Sequence, residues 1–252
     1  MRVLILGGTA EARSLATHLQ AAGVDVVSSL AGRVRNPVLP AGEVRVGGFG
    51  GAAGLASYLA DVDVLVDATH PFAATISAHA AEAARATGRR LIAVRRPAWA
   101  PLPGERWEQV ATVAHAAAFA RDSGPGAVFV TTGRRDLAAF AADDAHDYLI
   151  RTVDPPEVPL PPRSTVLLDR GPFTLAGERH LLSAHSIRLL VTKNSGGALT
   201  AAKLHAAREL DVRIVMVARP PLAAGVETVD RDEDVLSRLR HPTSHSTDNA
   251  AG

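Results

Sequence analysis

The sequence predicts an α/β protein built of two doubly wound parallel-sheet domains with a cleft between them. Short, continuous apolar runs alternate with alanine-rich amphipathic stretches, as in strands buried on both faces by helices. The pattern stops at Arg96-Pro97-Ala98-Trp99-Ala100-Pro101-Leu102-Pro103-Gly104, where three prolines and a glycine fall within nine residues. It then resumes with the same grammar. The boundaries read as one domain over 1–100, a second over 105–240, and a tail over 241–252 that lacks periodicity and is expected to be disordered.

In the first half, strands are expected at Val3–Leu6, Val24–Ser29, Val44–Val46, Val62–Ala68 and Leu91–Val94. Helices are expected at Ala10–Ala21, Ala52–Leu59 and Ala73–Thr87. In the second half, strands are expected at Val128–Thr131, Tyr148–Val153, Val166–Leu168, Leu189–Thr192 and Arg213–Val217. The helical stretches there are His115–Arg121, Leu137–Ala142, Thr174–His185 and Ala198–Leu210. The prolines from Pro155 to Pro162 read as a rigid loop. Right-handed crossovers turn such alternation into doubly wound sheets.

Composition narrows the chemistry. The 252 residues are 47% hydrophobic and 21% charged, the balance of a globular protein. A net charge of +1 gives no global reason to expect nucleic acid or an acidic membrane as partner. The absence of cysteine excludes disulfides and thiolate chemistry. No apolar stretch is as long as a membrane span and no signal peptide is recognisable, so a cytoplasmic location is expected. Ten histidines show no zinc-like spacing with a third ligand, and no metal is expected.

Gly7-Gly8-Thr9-Ala10-Glu11-Ala12 lies between the first strand and the first helix. Glycines there let the backbone approach phosphates, and the helix N-terminus offers free N–H groups. Thr9 and Ala12 replace two glycines of the usual fingerprint, so a tight turn without ligand is the alternative. NAD-type sites carry an acid after the second strand. Here that position reads Val27-Ser28-Ser29-Leu30-Ala31-Gly32-Arg33, which favours NADPH, with Ser28 and Arg33 near the ribose phosphate. Gly47-Gly48-Phe49-Gly50-Gly51 follows the third strand, and Gly48, Phe49 and Gly50 could lie against the cofactor. Asp67-Ala68-Thr69-His70-Pro71-Phe72 ends the fourth strand, placing His70 where the reactive end of a dinucleotide would sit.

The second half carries two similar turns. Thr131-Thr132-Gly133-Arg134-Arg135 follows one strand, and Lys193-Asn194-Ser195-Gly196-Gly197 precedes a helix expected to pack through Leu199, Ala202, Ala206 and Leu210. Lys193 and Lys203 are the only lysines, and both could face one anion at that helix N-terminus. Arg170 and Arg219 also follow strands. Such positions gather on one edge of a parallel sheet.

GGTAEAR at 7–13, LAGR at 30–33, GGFGG at 47–51, DATHPFA at 67–73, RPAW at 96–99 and TTGRR at 131–135 run in order along the chain. TKNSGG and the stretch from AAKLHAAREL to VARP follow at 192–220. Together they resemble the precorrin-6A reductase family, including its cobalt-precorrin-6A reductases. The resemblance implies two Rossmann-like domains that can exchange a strand, with NADPH and a tetrapyrrole in the cleft. It implies hydride transfer from NADPH to a macrocycle double bond of precorrin-6A, giving precorrin-6B. The substrate's carboxylates would account for Thr132, Arg134, Lys193, Asn194, Ser195, Gly196 and Lys203 as contacts. His70 stands as proton donor or substrate anchor. The alternatives are the cobalt-containing substrate, another NADPH-dependent reductase, or a non-catalytic NADPH-binding sensor.

Overall fold

In a computed structural model, described here for residues 1–32, 38–103, 105 and 107–241, the chain forms two compact units. One comprises Met1–Arg96 with Pro221–Gly252, the other Pro97–Pro220. Each contains a six-stranded, wholly parallel sheet.

The first unit runs β1 (Arg2–Leu6), α1 (Ala10–Ala21), β2 (Asp25–Leu30), β3 (Glu43–Val46), α2 (Ala52–Tyr58), β4 (Val64–Asp67), α3 (Ala74–Thr87) and β5 (Arg90–Val94). Val3 and Ile5 face one side of the sheet, where Leu15, Ala16 and Leu19 of α1 close the core. Leu4 and Leu6 face the other, against Leu55, Leu59, Ala80 and Ala83. This two-sided burial explains why the strands read as unbroken apolar runs.

The second unit runs β6 (Trp107–Val110), α4 (Val113–Arg121), β7 (Ala127–Thr131), β8 (Asp147–Thr152), β9 (Ser164–Leu168), α5 (Leu175–Ala184), β10 (Ile187–Lys193), α6 (Ala202–Glu209) and β11 (Arg213–Val217). Its core joins Phe129, Leu190, Ile214 and Met216 of the sheet to Leu182 and Leu204 of the helices. The stretch expected as a helix over 137–142 is a short 3-10 turn, Leu137–Phe140.

The expected boundary at residue 240 is corrected. The chain beyond Pro220 returns to the first unit, where β12 (Glu227–Val229) pairs in parallel with β5 and α7 (Asp232–Arg240) packs beside α1. Val235 of α7 is fully buried in the first core, with Leu236 and Leu239 against it. Arg90 of β5 fixes the returning segment: its guanidinium grips Glu227 through two bonds of 3.0 Å and donates to the Arg238 carbonyl at 2.8 Å. The sheet orders are β12-β5-β4-β1-β2-β3 and β6-β11-β10-β7-β8-β9. The sixth strand of the first sheet therefore comes from beyond the whole second unit, whereas β6 belongs to the second unit's own continuous segment. Both strands were missed in the sequence because β6 is half polar and β12 has three residues. The polar tail from residue 242 lies outside the described residues.

Candidate functional site

In the first sheet β1 lies between β2 and β4, so the loops after β1 and β4 diverge at its C-terminal edge. That point is where doubly wound sheets hold ligands. Gly7 donates its N–H to the Ser29 carbonyl at 2.9 Å, and a Cβ on it would stand 3.4 Å from that of Ala12. Gly8 has φ +111 and open space around it, so backbone conformation requires glycine and nothing obstructs approach. Thr9 caps α1, accepting the Ala12 N–H at 3.1 Å and donating to the Ala68 carbonyl at 2.9 Å. Its hydroxyl thus ties the helix start to the end of β4.

Thr9, Glu11, Ala68, Thr69, Pro71, Val94 and Arg96 line a small pocket at this point. Arg96 reaches Glu11 at 2.6 Å. Burial pushes the Glu11 carboxyl up, but its own backbone N–H, the Arg96 guanidinium and the Thr9 hydroxyl outweigh this and hold it below the usual range. The second carboxylate oxygen, Oε2, is buried and makes no hydrogen bond among the described residues. Glu11 can therefore accept from a ligand hydroxyl, with its charge offset by Arg96. Buried Asp67 accepts the Thr69 N–H at 3.1 Å and hydroxyl at 2.6 Å, and lies 3.6 Å from Arg95. This fixes the turn that presents His70, which is exposed and whose Nδ1 accepts the Phe72 N–H at 3.3 Å. In the neutral ring the proton then sits on Nε2.

At the neighbouring edge, Ser28 is fully buried within β2, and its hydroxyl has no hydrogen-bond partner among the described residues. Arg33 lies outside the described residues. The glycine loop after β3 is a fixed platform. Gly47, Gly50 and Gly51 adopt φ of +123, +77 and +101, whereas Gly48 needs no such conformation and a Cβ on it would meet nothing within 4 Å. Neither packing nor backbone conformation thus requires glycine at Gly48. Phe49 packs edge-on against Tyr58 at 5.3 Å, and its carbonyl presses on Gly54 of α2. Arg45, which the sequence reading passed over, lies flat on Phe49 at 3.8 Å.

The second unit places its predicted residues more tightly than a surface anion site would. Thr132 is buried with its hydroxyl unpartnered among the described residues, and Arg134, on the same turn, lies 3.9 Å from Asp154. Lys193 is 2.5 Å from Asp136. Asn194 is a clamp: its side chain accepts the Trp99 N–H at 2.8 Å and donates to the Trp99 carbonyl at 2.9 Å. Ser195 Oγ donates to the Lys193 carbonyl at 3.4 Å. Gly196 has φ +67, and a Cβ would fall 2.2 Å from the Pro97 carbonyl and 2.3 Å from Arg219, so packing demands glycine. Arg219 holds the Asn194 and Pro97 carbonyls, while Arg170 stays exposed.

The expected stripe of α6 is corrected. Leu199 and Leu210 lie outside the helix and are exposed, and the buried face is Lys203, Leu204, Ala206 and Ala207. Lys203 therefore points inward, donating to the Thr200 carbonyl at 2.8 Å beneath Trp99, instead of facing an anion beside Lys193. Arg151 and Glu178, a buried pair at 2.5 Å, share its surroundings. Among the described residues no cluster of acids and histidines could hold a metal, and no helix is long and apolar enough to cross a membrane.

A family model described as Precorrin-6x reductase CbiJ/CobK matches residues 2–240. The chain belongs to the precorrin-6x reductase family. Membership makes it an oxidoreductase of cobalamin biosynthesis. It is 55% identical over 232 residues to the precorrin-6A reductase of Rhodococcus erythropolis, covering 91% of this chain and 93% of that one. Identity to the cobalt-precorrin-6A reductase of Priestia megaterium is 29% over 259 residues, covering 96% and 99%. The solved structure of a CobK precorrin-6A reductase superposes with a TM-score of 0.88 at 43% identity, over 95% of this chain and 96% of that one. The family thus shares the two Rossmann-like domains described above.

Proposed function

We propose that this precorrin-6x reductase reduces a double bond of precorrin-6A with NADPH held by the first unit, at residues Gly7, Gly8, Thr9, Glu11, Ser28, Arg33, Gly48, Phe49 and Gly50. The observation that carries the cofactor reading is the switch-point pocket. There an open, positive-φ Gly8 adjoins a capped helix start, and Glu11 keeps a buried acceptor without a partner among the described residues. NADPH, when bound, supplies the hydride. The chain's own part is placement: Gly7 and Gly8 admit the phosphates, and Glu11 Oε2 accepts from a ribose hydroxyl. Reduction also needs a proton, and exposed His70 carries an Nε2–H as donor to the ring or to a substrate carboxylate.

In the second unit, Thr132, Arg134, Lys193 and Ser195 are the residues that meet the tetrapyrrole carboxylates. Asn194, Gly196 and Lys203 shape the turn that presents them. The cobalt-free substrate is favoured by identity, 55% to a precorrin-6A reductase against 29% to a cobalt-precorrin-6A reductase. The cytoplasm is the location proposed for this activity. Incubating the protein with NADPH and precorrin-6A, with and without cobalt, tests the assignment. Consumption of NADPH with the cobalt-free form is expected, and no consumption with either form contradicts it.

A further inference from the structure

Arg45 stands on β3 directly across from Ser29 of β2, near the C-terminal ends of both strands. Its guanidinium donates to the Ser29 hydroxyl at 3.0 Å and to the Gly47 and Gly48 carbonyls at 3.1 Å each. One face rests on Phe49, and Tyr58 stands 5.3 Å away. Every one of these partners is neutral. Arg2, Arg90, Arg95, Arg96, Arg151 and Arg163 each meet a carboxylate, whereas none meets Arg45 among the described residues.

A half-buried guanidinium without a counter-ion retains a strong preference for an anion. Three of its five N–H groups are used, which leaves donors for such a ligand. The charge is also fixed in place, because the Gly47–Phe49 backbone and the Phe49 ring hold the fork from one side. The location matches the cofactor geometry. The adenosine ribose of a dinucleotide lies past the end of the second strand, and an acid there binds a free hydroxyl. In this chain no acid follows β2, and an uncompensated arginine comes across from β3.

We infer that Arg45 selects a dinucleotide bearing a phosphate on its adenosine ribose over one without it. The inference rests on the dinucleotide reading of the first unit. Calorimetric titration of the full chain, Arg45→Gln and Arg45→Lys with NADPH and with NADH tests it without turnover. The wild type should prefer NADPH. Arg45→Gln should lose about thirtyfold for NADPH but less than about threefold for NADH, the difference being one charge-assisted contact. Arg45→Lys, which keeps the charge, should retain part of the preference. Equal losses for both dinucleotides in Arg45→Gln would overturn the inference, since Arg45 would then only shape the glycine loop. So would a wild type that binds both equally. A wild type that binds neither would instead overturn the dinucleotide reading itself.

Discussion

Lys203 is a cation buried beside a second cation. Burial, with the Arg151 charge adding to it and Glu178 opposing, pulls its ammonium down to about 7 from 10.5. The unfolded chain keeps that proton to higher pH, so the folded state binds fewer protons between those values. Stability therefore rises with pH across that window, at most by about 1.4 kcal/mol per pH unit. Urea unfolding of the wild type between pH 7 and 9.5 should show the rise, and Lys203→Met should flatten it; parallel profiles would contradict this account. The sequence marked Lys203 as unusual among so many arginines, but its inward direction was not legible. The helix was read as starting at Ala198, and the two leucines that set the expected stripe fall outside it. Arg45 was missed for a related reason. Its meaning depends on facing Ser29 sixteen residues away and on having no carboxylate nearby, neither of which leaves a local pattern.

Between β7 and β8 the chain makes a long connection, anchored where it enters β8. There His146 has acceptors on both ring nitrogens: Asp143 at 2.9 Å from Nδ1 and the Gly124 carbonyl at 2.9 Å from Nε2. Both contacts are hydrogen bonds only if the ring is an imidazolium. Burial opposes that charge, but the bonds to Asp143 and Gly124 outweigh it and hold His146 above its usual value. Burial likewise raises Asp143, but the Tyr148 hydroxyl, His146 and the Ala145 N–H hold it below. The histidine's contribution is complete below 6.5 and is lost as pH rises through its raised value. The aspartate's is complete above 3.8 and is lost as pH falls through its lowered value. His146→Gln should cost about 2 kcal/mol at pH 6 and less at pH 9, read by thermal or urea unfolding. A cost that does not change with pH would contradict the imidazolium. This anchor left no signal in the sequence, whereas the glycine turns did: Gly8 and Gly196 have local backbone requirements that glycine announces.

For the molecule as a whole, the alternation of strand and helix was legible, because parallel sheets covered on both sides force unbroken apolar strands. The assignment of β6 and β12 was not. Each pairs with a strand far away in sequence, and the Arg90–Glu227 pair that secures β12 joins residues 137 positions apart. The site was legible in the same uneven way. The turns at Gly7–Thr9 and Lys193–Gly197 carry a local glycine signal, while the clamp of Asn194 on Trp99 and the neutral cradle of Arg45 rest on contacts between residues distant in sequence. The central claim is that this chain delivers a hydride from NADPH to the precorrin-6A ring. Its most direct test uses NADPH deuterated at the hydride-donating carbon and follows the mass of the tetrapyrrole product. The account predicts a product heavier by two hydrogens, one of them deuterium from the labelled face. A product without the label, or no reduced product, would contradict it.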